Sequence, residues 1–137
     1  PAFGLSPHRN AAVVLAVGVE APFRLAMNAG AAEPSYRECR TAIIPPDTLH
    51  HLTGTSGTMG FIYVDAMSRD YTHLLAETSR SETPASLGPE LEIRLIDLLS
   101  RLQEEKASAW PAVRAELQVA AFRKMFGMEP SRLARDY

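Results

Sequence analysis

Apolar positions in the first half of the chain come in short bursts. Runs at 11–18 (AAVVLAVG), 22–27 (PFRLAM), 40–45 (RTAIIP), 49–53 (LHHLT) and 59–64 (MGFIYV) are of strand length and lack a helical period. In PFRLAM, Phe23, Leu25 and Met27 alternate with Arg24 and Ala26, the period of two expected of a strand with one buried face. Between the runs lie NAGAAEPS, PPD and GTSG, whose Gly, Pro, Asn and Ser supply turn backbone. Links this short leave no room for parallel crossovers, so the strands pair antiparallel. A small barrel or sandwich over residues 1–66 follows.

From Ala66 onward the period lengthens to nearly four. Residues 67–79 read as a modest helix with Ser68 as N-cap and Tyr71, Leu74 and Leu75 at helical spacing. After the breaker SETPASLGP, the segment ELEIRLIDLLSRLQEEK carries the clearest stripe, Leu91, Leu95, Leu98, Leu99 and Leu102, widened by Ile93 and Ile96. A further helix is expected from Trp110–Pro111 to Gly127, with Val113, Leu117, Ala120, Ala121 and Met125 on one side. The class is therefore α+β, and these two long helices are expected to form an antiparallel hairpin within a helical segment, residues 67–127. That pair would serve as a lid on the sheet, as a subunit interface through Leu91, Leu95, Leu98 and Leu102, or as both. EPSRLARDY restarts a helical pattern after Pro130 and stops, so 128–137 reads as the start of a linker and the chain as a piece of a longer product.

Length and charge narrow the class further. At 137 residues, 46% apolar and net charge −2, the chain suits one globular domain and neither a disordered chain nor a strongly basic nucleic-acid binder. The two-residue basic excess of 108–137 reads as a solvated face. Cys39 is the one cysteine, which excludes an internal disulfide. No apolar run nears the roughly 20 residues that span a bilayer. The opening PAFGLSPHRN lacks a signal-peptide pattern, so a cytoplasmic protein is expected.

Candidate chemistry is sparse. The histidines are His8, His50, His51 and His73, and His8 and His50, each at a strand edge, are the pair that a sheet folded on itself could bring together. Asn10 stands where a His-x-His pair with His8 would need its second histidine, and the next carboxylate is Glu20. A metal site usually asks for three protein ligands, so no metal is assigned. His50 and His51 point to opposite faces if extended; a single inward histidine on an apolar strand is more often a core residue bonded to a backbone carbonyl than a ligand. There is no G-x-S-x-G elbow and no G-x-G-x-x-G; GTSGTMG fits a turn, and Cys39 has no helix N-terminus to activate it. No catalytic residue and no cofactor are therefore assigned. Arg24, alternating with apolar neighbours, could project toward an anion.

The order of the pieces resembles the N-terminal cupin-type effector domain of AraC family transcription regulators. The resemblance covers roughly residues 5–75: His8-Arg9-Asn10 at the place of a His-Arg-His entry, Pro22-Phe23-Arg24-Leu25 as the second-strand pattern, Ile43-Ile44-Pro45-Pro46 followed by His50, and Tyr63-Val64-Asp65 with Ser68 as the exit into a helix. It implies a cupin-like double-stranded β-helix closed into a barrel, a small-molecule effector bound near His8, Asn10, Arg24 and His50, and helices that pair two copies as a homodimer. DNA would be contacted through a helix-turn-helix domain not present here. The rival expectation is a small metal-dependent cupin enzyme, an isomerase or dioxygenase, with His8 and His50 as ligands. Asn10 and the missing glutamate near Ala12–Val14 count against it.

Overall fold

Every residue of the first strand, β1 (Val13–Gly18), is buried, and the fold is arranged around it. A strand covered on both faces is apolar throughout, which is how VVLAVG reads. The computed structural model describes residues 6–53, 57–78 and 83–104. They form β1, β2 (Phe23–Ala26), β3 (Arg37–Cys39), β4 (Thr41–Ile44), β5 (His51–Thr53), β6 (Met59–Val64), α1 (Arg69–Ala76) and α2 (Pro89–Glu104).

β1 pairs antiparallel with β4 on one side and β6 on the other, and β2 pairs likewise with β3 and β5. The orders are β4-β1-β6 and β3-β2-β5. Leu15 lies opposite Ile43 and Ile62, and Ala16 opposite Ala42 and Phe61, so the period of two sorts the first sheet into two faces. Val14, Ala16, Ala42 and Ile44 pack with Phe23, Leu25, Cys39 and Leu52 of the second sheet. Val13, Leu15, Val17, Ile43 and Val64 pack instead with Leu74 of α1, with Leu87 just before α2 and with Leu95 of α2. The layers run second sheet, first sheet, helices.

A closed barrel is not what the described residues form. The six strands make two separate three-stranded antiparallel sheets, stacked face to face. Closure would need an edge strand of one sheet to pair along an edge strand of the other, with a stagger shared around the ring. Among the described residues none does, and β3 and β5 are three residues each. Among the described residues the helical layer is α1 and α2, each laid on the outer face of the first sheet. The helix expected after Trp110, and the linker 128–137, lie outside the described residues.

Two devices seat the helices. Gly60 sits on the helix-facing side of β6, where a Cβ would come within 2.9 Å of Leu99 Cδ1, so its missing side chain lets α2 approach. Thr41, fully buried on β4, donates its hydroxyl to Glu92 at 2.5 Å and accepts from the Leu87 N–H at 3.1 Å. The segment before α2 is further held by Ser86 Oγ donating to the Thr41 carbonyl at 3.0 Å and Ile43 N–H to the Ala85 carbonyl at 2.9 Å. Ser68 stands at the N-cap of α1, but its hydroxyl donates to the Asp65 carbonyl rather than capping the helix.

Candidate functional site

The segment before β1 returns to the far end of the second sheet. His8 and His50 face each other as an antiparallel bridge, each N–H donating to the other's carbonyl at 3.0 Å. Their imidazole rings lie 4.4 Å apart, centroid to centroid, tilted by 59°. The next turn of chain is fixed as well. Asp47 N–H donates to the Asn10 carbonyl at 2.7 Å and Arg9 Nη1 donates to the Asp47 carbonyl at 2.9 Å. Asp47 itself has φ 56°, a left-handed conformation that aspartate tolerates at a turn and that Pro-Pro-Asp suits.

Hydrogen bonding fixes the state of both rings. His8 Nδ1 lies 3.0 Å from the Ser6 carbonyl and His50 Nδ1 2.9 Å from the Thr48 carbonyl. A carbonyl oxygen only accepts, so in each neutral ring the proton is on Nδ1 and Nε2 carries the lone pair. Burial pushes His50 below the usual histidine range; the Thr48 bond opposes this, and the charges of His8 and His51 add to it. His50 is 2% exposed and therefore stays neutral and accepting near pH 7.

The other sequence candidates fall in two places. Asn10 belongs to the same corner through its backbone, whereas Arg24 does not. Arg24 is exposed on the outer face of the second sheet, opposite Glu38 and Thr53, with its guanidinium 5.4 Å from the centre of the Tyr36 ring. His51 shares that outer face, because it pairs with Ala26, two residues along β2 from Arg24. The Tyr36 hydroxyl and His51 Nδ1 are 2.6 Å apart. The adjacent histidines thus part company: His50 turns inward and His51 outward. Tyr36 carries no sequence signal, since it lies in a loop-like stretch before two exposed residues of β3.

On α2, Leu95 is fully buried against the first sheet and Leu91 packs beside it, while Leu98 and Leu102 are half-buried. Cys39 is buried between the sheets with its thiol 3.6 Å from the Arg37 carbonyl. Among the described residues no three His, Cys, Asp or Glu side chains converge as a metal set, so His8 and His50 are a two-nitrogen pair. No helix among them is long and apolar enough to cross a membrane. No protein-family model, curated protein or solved structure matches the chain.

Proposed function

We propose that the chain is a small-molecule-sensing and pairing domain of a transcription regulator similar to the AraC family, and that it is not an enzyme. The observation that supports this reading most is the meeting of His8 and His50, far apart in sequence, with both Nε2 lone pairs left over after their Nδ1 bonds are made. Two neutral acceptors on a fixed backbone suit a ligand that offers O–H or N–H donors, such as a polyol or a phenol. The corner of an open two-sheet stack takes the place of a barrel interior.

Signalling would be linkage. A ligand that binds better when residues 6–10 are docked favours that arrangement, and the bias reaches the DNA-binding part through the helical layer. Pairing of two copies would use the half-buried Leu98 and Leu102 with Leu91, since Leu95 is already spent on the sheet. Leu98→Asp should shift the sedimenting species from dimer to folded monomer, and an unchanged dimer counts against that surface.

The reading is tested on the intact gene product. Two helix-turn-helix patterns following Tyr137 are expected there, and polyol or phenol titrations should move the His8 and His50 ring signals together. A continuation without such patterns, or tight transition-metal binding with turnover, would overturn it.

A further inference from the structure

Among the described residues, the contacts that tie the N-terminal segment to the chain beside the second sheet include the buried, titratable His50. We propose that residues 6–10 form an acid-released clasp: protonation of the buried His50 ring, paired with His8, undocks the segment from the end of the second sheet. The proposal stands on the geometry of the pair alone and survives failure of the sensor reading.

Among the described residues, the contacts that dock the segment are the reciprocal His8–His50 backbone bonds, the tilted ring pair, and the Arg9 and Asn10 contacts to Asp47. Both Nδ1 positions already carry protons committed to carbonyls, so an added proton goes to Nε2. An imidazolium at His50 would be enclosed in a residue 2% exposed, with the centroid of the His8 ring 4.4 Å away. The charged groups that act on His50 are His8 from the segment and the adjacent His51, while Arg9 and Asp47 are joined to one another at the same corner. Asp47 meets the segment through its backbone N–H and carbonyl. Among the described residues neither imidazole is hydrogen-bonded to a carboxylate, the Nδ1 positions being bonded to the Ser6 and Thr48 carbonyls.

The sign follows from proton counting. The docked state lowers the affinity of His50 for a proton, mainly by burial, and the undocked state restores it toward 6.5. Docking is therefore complete above 6.5 and weakens as pH falls from there through the lower docked value. At about pH 5 the ceiling on the loss is about 30-fold, reached if docked His50 takes up no proton at all.

The test is amide hydrogen exchange by NMR on the whole chain between about pH 7.5 and about pH 5, corrected for intrinsic exchange chemistry. Protection of the His8 and His50 amides should fall by up to about 30-fold, while the Val14 and Leu15 amides of β1 keep theirs. His50→Asn keeps a donor for the Thr48 carbonyl and does not titrate, so its His8 amide should show a pH response reduced to a small residue. His8→Ala removes only the charge of the neighbouring ring, a lesser cause than burial, so its His50 amide should keep a pH response of reduced size if the 50-position variant does not fold. Constant protection in the unmodified chain, the same loss in the folded variants, or simultaneous loss across β1 would each overturn the clasp.

Discussion

Removing the Thr41 hydroxyl should loosen the helical layer more than any other change of a single atom group on the first sheet. Thr41→Val keeps the shape and takes away one oxygen. That oxygen donates to Glu92 at 2.5 Å and accepts from the Leu87 N–H at 3.1 Å. Leu87 is 4% exposed, so its N–H would be left without an acceptor, at about 1–3 kcal/mol. The Glu92 carboxylate is half-buried and loses a hydrogen bond to a charged group, but water reaches it, so we add about 1 kcal/mol rather than the upper end of that range. The total is about 2–4 kcal/mol. Thr41→Ser retains both bonds and deletes one methyl, at about 1 kcal/mol. Urea unfolding followed by circular dichroism reads the difference as a shift in midpoint at constant slope. If Thr41→Val is as stable as the unmodified chain while Thr41→Ser is weaker, packing rather than hydrogen bonding seats the helices and the argument fails.

Other changes test neighbouring parts. Gly18→Ala puts a Cβ 2.1 Å from the Ala21 carbonyl oxygen, a backbone atom, and should cost about 3 kcal/mol or more; Gly60→Ala meets only the tip of Leu99 at 2.9 Å and should cost about 1–2 kcal/mol, with the order read from melting temperatures. Leu95→Ala should cost about 2–5 kcal/mol and Leu98→Ala roughly 1 kcal/mol in urea titrations, because only Leu95 is fully buried. Equal costs would mean that α2 is turned differently. Tyr36→Phe should cost no more than about 1.5 kcal/mol and change the His51 ring signals while leaving those of His50 in place, since the two histidines face opposite sides of the second sheet.

The strands were legible where burial is simple. PFRLAM alternates, and β2 follows it, with Phe23 and Leu25 inward and Arg24 outward. AAVVLAVG was legible as a strand but not as the middle layer, because a continuous apolar run says that both faces are covered and not by what. β3 escaped notice: Arg37 and Glu38 are both exposed, and only Cys39 turns into the core. Closure misled for a related reason. Strand count and short turns are shared by barrels and sandwiches, and what separates them is edge pairing, a long-range property that no local pattern records. The meeting of His8 and His50 was legible only as a possibility, and the choice between His50 and His51 depended on register, which Ala26 opposite His51 decides.

The account depends most on the state of two imidazole rings. Long-range proton–nitrogen correlation spectra at about pH 7.5 assign each histidine nitrogen as protonated or bare. For His8 and His50 the carbonyls of Ser6 and Thr48 require Nδ1 protonated, which leaves Nε2 bare in the neutral ring. Finding either ring with its proton on Nε2 would mean that the pair offers no accepting edge, and the ligand reading of this corner would be contradicted.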